Sequence, residues 1–330
     1  MRRALWGVIG VVAACTIAAA AQWPKFQETG VPRDAQGRVR MDAPPPKTAD
    51  GKPDLSGLWV RADRDPFPAE LAGILGGRAG QPPQDDRGAP AGRGGQAAGR
   101  GRNGGPGGDT PVIPIEPPIA PFPPDPNAPP LATFFELGQN VSGGLPFTPW
   151  AADLRKARMA TSDRDNPDAN CMPMGITQFH MQPQPRRIYQ MPKEILIEYE
   201  ANYGLRHIYL DARKLPPQGE PQPFWYGYSV GRWEGDTLIV ETNNLRGAEQ
   251  GPHDGWLDVR GSPYSDQAKF TERFRRPIFG KLEIDVTLED SKAYTKPFTV
   301  RINQRVMVDE ELIEFVCNEN QQFRRRIKID

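Results

Sequence analysis

The chain has 330 residues, with 41 Lys+Arg against 41 Asp+Glu and 3 His, and this zero net charge argues against a general nucleic-acid binder. Only 38% of residues are hydrophobic, while Gly (34) and Pro (37) make up about a fifth, so a folded domain shares the chain with low-complexity polymer. Three cysteines exclude a disulfide-dense scaffold and a Cys-rich zinc module, and three histidines leave little for histidine-based metal chemistry.

Residues 1–21, MRRALWGVIGVVAACTIAAAA, read as a signal peptide: Arg2 and Arg3 precede an apolar run from Ala4 to about Ile17, and small residues follow. The run is short of the roughly 20 residues that span a bilayer comfortably. Ala19-Ala20-Ala21 before Gln22 fits ordinary cleavage. Val12-Ala13-Ala14-Cys15 offers the alternative of a lipobox, in which Cys15 is acylated and anchors the protein to the envelope. The expected location is therefore the periplasm, with the membrane reached only through that anchor. Either way Cys171 and Cys317 remain. In an oxidising compartment they are expected to form one bridge across a long loop, the alternative being two separate buried thiols.

Residues 22–50 are polar and Pro-bearing and read as an extended leader. Residues 51–62 hold a turn and then a short strand, the first of the folded body. Residues 63–132 form an insert. Within it, from Gly73 to Pro130, roughly half the residues are Gly or Pro and Phe122 is the only aromatic, so too little apolar surface is available to offset ordering entropy and disorder is predicted. GRGGQAAGRGRNGG reads as flexible coil and PVIPIEPPIAPFPPDPNAPP as stiff, polyproline-like chain. Gly99-Arg-Gly-Arg-Asn-Gly104 spells a dinucleotide fingerprint, but it follows no strand and opens no helix. It is read, like the Arg-Gly repeats around it, as solvated linker.

Residues 133–330 are the helix and barrel body. Thr148-Pro149-Trp150 predicts a helix start, Thr148 capping and Pro149 at the first helical position, and the helix runs to about Ala160. Asp163, Asp165 and Asp168 lack the turn glycine and distal glutamate of a calcium loop and read as a solvated loop. From Arg186 onward the period is two. Strands are predicted at 186–191, 194–202, 205–211, 224–234, 236–245, 268–275, 281–289, 298–308 and 311–320. The clearest is 281–289, where Leu282, Ile284, Val286 and Leu288 alternate with Glu283, Asp285, Thr287 and Glu289. Sequential strands with short turns make a meander, and with the early strand there are enough to close. The predicted fold is all-β: an antiparallel up-and-down β-barrel with one short helix and a disordered Gly/Pro-rich insert.

Two resemblances follow from longer motifs. Gly57-Leu58-Trp59 on an opening strand resembles the short signature of lipocalin-like barrels. That resemblance implies that Trp59 plugs one end and that an arginine late in the barrel stacks across it, for which Arg324, Arg325 and Arg326 are the candidates. Asp54-Leu-Ser-Gly-Leu-Trp59, Leu145-Pro-Phe-Thr-Pro-Trp150, GYSVGRWEGDTLIVET at 227–242, Thr271-Glu-Arg-Phe274 and Ala293-Tyr-Thr-Lys-Pro297 resemble a family of exported bacterial proteins of unassigned function. This second resemblance covers most of 51–330 outside the insert and implies a domain definition, not an activity.

His-Glu-x-x-His and Cys-x-x-Cys are absent from the sequence, and its Gly-x-Ser-x-Gly spelling, at 227–231, lies inside the predicted strand 224–234 and not at a strand-to-helix elbow, so neither a metal nor a cofactor is expected. Of the scattered His180, His207 and His253, His207 is the best placed, alternating with Leu205 and Tyr209. Charged residues on apolar faces say more, because an unpaired buried charge is costly. Glu272 lies between Phe270 and Phe274, Arg206 shares a face with Ile208 and Leu210, and Gln304 follows Val300 and Ile302. If those faces line a barrel, Trp59, Arg206, Glu272 and Gln304 surround a site for a small amphipathic or apolar ligand; the alternative is an internal structural ion pair. The first functional reading is a periplasmic or envelope-attached binding protein. The second is a barrel enzyme, a hydrolase or isomerase with Glu272 as general base and Arg206 stabilising an anion. The third is a structural envelope protein with no ligand and a filled interior.

Overall fold

A computed structural model of the chain describes residues 27–62, 122–123, 125–161 and 164–317. The chain divides into two compact units, residues 1–63 with 127–330, and residues 64–126. The barrel belongs to the first. The leader peptide with Cys15, nearly all of the insert and the arginines at 324–326 lie outside the described residues.

Nine strands close into one barrel in sequence order: β1 (Gly57–Arg61), β2 (Arg186–Met191), β3 (Glu194–Tyr199), β4 (Gly204–Tyr209), β5 (Tyr228–Glu234), β6 (Thr237–Asn243), β7 (Lys269–Ile278), β8 (Lys281–Glu289) and β9 (Phe298–Met307). β1 pairs with both β2 and β9, so the sheet has no edge strand to protect. Among the described residues two α-helices precede β2: α1 (Pro149–Ala160) and the six-residue α2 (Ile176–Met181). The Thr148 hydroxyl caps α1 by accepting from the Ala151 N–H at 3.3 Å, as the sequence indicates.

The meander breaks at one place. β4 and β5 run parallel, Ile208 opposite Ser229, and the up-and-down expectation fails there. Residues 210–227 contain Pro216, Pro217, Pro221 and Pro223, which cannot extend a hairpin. The segment instead returns along the barrel to start β5 in the direction of β4, as parallel neighbours require. The strand expected at 311–320 is also corrected, since described residues 311–317 form no strand. The expectations at 194–202 and 224–234 ran long by three and four residues, into a 3-10 turn and into the crossover.

The inward faces carry the predicted alternation. Ile195, Ile197 and Tyr199 on β3, Leu238 and Val240 on β6, Phe270 and Phe274 on β7, Leu282 to Leu288 on β8 and Val300 to Val306 on β9 are all buried in one core. Each large apolar side chain contributes about 1.5–3 kcal/mol by leaving water.

The two ends are closed by different devices. At one, Trp59 is fully buried, donates its indole N–H to the Leu55 carbonyl at 3.0 Å, and lies under the guanidinium of Arg276, 4.8 Å from ring centroid to Cζ. Arg276 donates to the carbonyls of Phe279, Asp54 and Ser56, and the leader adds a layer through Phe279 N–H to Ala43 carbonyl at 2.7 Å. An arginine of β7 thus stacks across Trp59; the candidates at 324–326 lie outside the described residues. At the other end the plug is α2, all six of its residues buried. Glycines permit the fit: a Cβ on Gly204, at the start of β4, would sit 2.7 Å from Phe179 Cζ, and one on Gly175 would sit 2.5 Å from the Trp256 carbonyl oxygen.

Candidate functional site

Three of the four sequence-selected residues meet, directly or through α2, at the centre of the barrel. β4 points Arg206 inward and β7 points Glu272 inward, each between apolar neighbours of the same parity, and both are wholly buried. Arg206 grips Glu272 with two bonds, Nη1 to Oε1 at 3.0 Å and Nη2 to Oε2. The guanidinium also donates to Ser229 Oγ on β5 and to Thr242 Oγ1 on β6, at 3.2 and 3.0 Å. The two hydroxyls bond each other at 2.8 Å. Gln304 donates to the His180 carbonyl at 3.3 Å. Trp59 does not join this cluster; it belongs to the opposite plug.

His180 is the residue the sequence reading passed over. It sits on α2, and its Nε2 lies 2.9 Å from Glu272 Oε1. Its carbonyl also accepts from Arg186, which extends to the carbonyls of Gln182 and Gln184 at 2.9 and 3.2 Å. His207, the best placed of the three by sequence, is half exposed on the outer face beside Glu194. ITQFHM offers no cap and no periodicity that would announce a buried helix, so nothing in the sequence pointed to His180.

The electrostatics follow from burial and pairing. Burial alone would raise the Glu272 carboxyl, but the charge of Arg206 and the bonds from His180 and Arg206 outweigh it and hold the group at about 2. Burial drives the His180 imidazole below its ordinary value despite Glu272, so it is neutral at pH 7. Burial likewise lowers Arg186 to about 10 and raises Tyr199 to about 12. A carboxylate with both oxygens committed and a pKa near 2 is not a base poised near neutrality. Among the described residues no group of three His, Cys, Asp or Glu side chains is arranged to hold a metal ion.

Two pockets open elsewhere, on the rim where β6 ends, β7 begins and β8 ends. One, of about 380 Å³, is walled by the crossover at 215–218 and by Glu241, Asn243, Lys269 and Thr271, with Thr242 and Phe270 at its floor. The other, of about 440 Å³, lies beside it against 289–291 and 294–297. They share Gln218, Lys269 and Glu289. Neither is lined by Trp59, Arg206, Glu272 or Gln304. Thr242 links the two regions: the residue lines the pocket, and its hydroxyl accepts from Arg206 in the interior. Asn243, 4% exposed, has no partner for Oδ1, and Gln218 Oε1 is similarly buried and unpartnered.

The bridge between Cys171 and Cys317 is formed, with 5.6 Å between Cα atoms. Cys317 is not on the last strand. It ends a segment that returns past β2 and β3, where Arg187 pairs with Glu311 and the Ile313 N–H bonds Glu200 Oε2 at 3.2 Å. The bridge ties that segment to the loop leading into α2. Among the described residues no helix is long and apolar enough to cross a membrane. Compared with protein-family models, curated proteins and solved structures, the chain has no match.

Proposed function

We propose that this protein is an exported binding barrel that receives a small polar or amphipathic ligand at the rim between β6, β7 and the 215–218 crossover. The observation that carries the reading is the rim cavity of about 380 Å³, walled by polar and charged side chains and of a size that suits small molecules. The reading moves the ligand outward from the interior site expected at Trp59, Arg206, Glu272 and Gln304. Those side chains are held by protein partners, and α2 occupies the barrel end above them. The disulfide and the leader sequence support an oxidising, exported location such as the periplasm, lipid-anchored if Cys15 is acylated.

The enzyme reading with Glu272 as base loses support from its low pKa and its saturated oxygens. The structural reading is favoured by one observation, the plugs at both ends. Native mass spectrometry separates it from binding. Protein taken from its host without denaturation is expected to carry a small adduct that is released on unfolding and is missing from Thr271→Trp, which fills the rim cavity. A bare chain mass in both proteins would leave the structural reading.

A further inference from the structure

The outer wall of the barrel has two characters. Across β7, β8 and β9 it is laced with ion pairs, Arg275 with Glu283 and Arg301 with Asp285. Across β2, β3 and β4 it exposes apolar side chains. Tyr189 stands opposite Leu196, Leu196 opposite His207, and Leu205 opposite Glu198. Tyr189 and Leu205 are 39% and 44% exposed, and Ile313 in the segment passing this face is 67% exposed. The same face is short of cations. Arg187 is taken by Glu311, while Glu198, Glu200, Glu310 and Glu314 join no ion pair among the described residues. Glu200 is 9% exposed and meets only the Ile313 N–H, and burial pushes its carboxyl up. An apolar patch rimmed by unpaired carboxylates marks a contact surface and selects a basic partner.

We propose that this face is the docking surface for residues 318–330 of the same chain, with Phe323 and Ile327 on the apolar patch and the arginines between them on the carboxylates. The segment lies outside the described residues; its starting point, reach and charge fit the face. It starts at Cys317, which is bonded to Cys171. The next residue, Met172, accepts at its carbonyl from Asn202 Nδ2 at 3.3 Å, and Asn202 lies in the turn between β3 and β4. Residue 318 therefore enters at the edge of the face. Extended, 318–330 reaches about 40 Å, against about 20 Å for the six residues of β4. It carries Arg324, Arg325, Arg326 and Lys328 against Glu319 and Asp330. Joined to the chain at that edge, it docks intramolecularly and needs little intrinsic affinity.

The test is photo-cross-linking of the oxidised full chain carrying Phe323→p-benzoylphenylalanine. Links within one chain to peptides of 186–209 are expected. Glu198→Lys and, separately, Leu205→Lys, both on the outer surface, are expected to cut their yield at least fivefold with unchanged unfolding midpoints. Adding Arg325→Glu to Glu198→Lys is expected to restore part of the yield. Links to other strands, or no link above the yield of unfolded chain, would overturn the proposal. Links between two chains would give the face to a second copy instead, and a yield indifferent to both lysine substitutions would show that this face is not what the segment recognises.

Discussion

Arg206 on β4 and Glu272 on β7, 66 residues apart in sequence, form a buried ion pair at the barrel centre, with 3.0 Å between Nη1 and Oε1. The pair is enclosed by Ser229, Thr242 and His180, so each charge has hydrogen-bond partners besides its counter-ion.

Removing one partner strands the other. Glu272→Leu is expected to cost about 3–5 kcal/mol in urea unfolding, because Arg206 remains charged and buried. The double substitution Glu272→Leu with Arg206→Leu is expected to recover much of that loss. A single-variant change below about 0.5 kcal/mol, the range of surface substitutions, would mean that Glu272 is solvated and the strand register wrong.

Acid should unfold the protein in two stages with the same sign. His180 is depressed below its ordinary 6.5, so the unfolded chain takes up the proton first and stability falls as pH drops below about 6.5. Glu272 is depressed from 4.5 to about 2, so its contribution is complete above 4.5 and is lost as pH falls from there toward 2. Urea midpoints between pH 8 and 3 are expected to decline throughout. His180→Gln should flatten the upper stage only; a midpoint that rises on acidification in the wild type contradicts the assignment.

At the other plug, Arg276 satisfies three loop carbonyls while covering Trp59. Lysine cannot reproduce the planar fork. Arg276→Lys is expected to destabilise by about 1–3 kcal/mol per carbonyl left buried and unpaired. A thermal midpoint equal to wild type would show that these carbonyls reach water.

The bridge closes a loop of 146 residues. Cys171→Ser is expected to lower stability by about 2–5 kcal/mol, and non-reducing peptide maps of protein from its host should contain the linked peptides. Two alkylatable thiols in native material would contradict both the bridge and the export reading. Intact mass of the same material should place the mature start near Gln22 or at a lipid-modified Cys15.

The barrel and its central pair were legible because period two fixes facing. Phe270, Glu272 and Phe274 must point one way, and so must Arg206 and Ile208. What stayed hidden has physical causes as well. Whether β5 runs parallel or antiparallel to β4 depends on where a proline-rich crossover goes, and its composition only says that it is not a hairpin. At 311–320 apolar and polar residues mix on both faces, and with the barrel already closed through β1 and β9 the segment has no edge to join. α2 is too short to show a helical period, and its polar side chains are buried because partners elsewhere in the chain await them: Glu272 for His180, the Leu257 carbonyl for Thr177 and Asn166 for Gln178. The rim is assembled from four separated segments whose cavity has no sequence signature.

The most direct measurement of whether ligand meets this barrel at its rim is a crystal structure of protein purified from its host without denaturation. The account expects density for a small molecule against Asn243, Gln218 and Lys269, with α2 seated on Glu272. Density between Trp59, Arg206 and Gln304, with α2 withdrawn from the barrel, would contradict it.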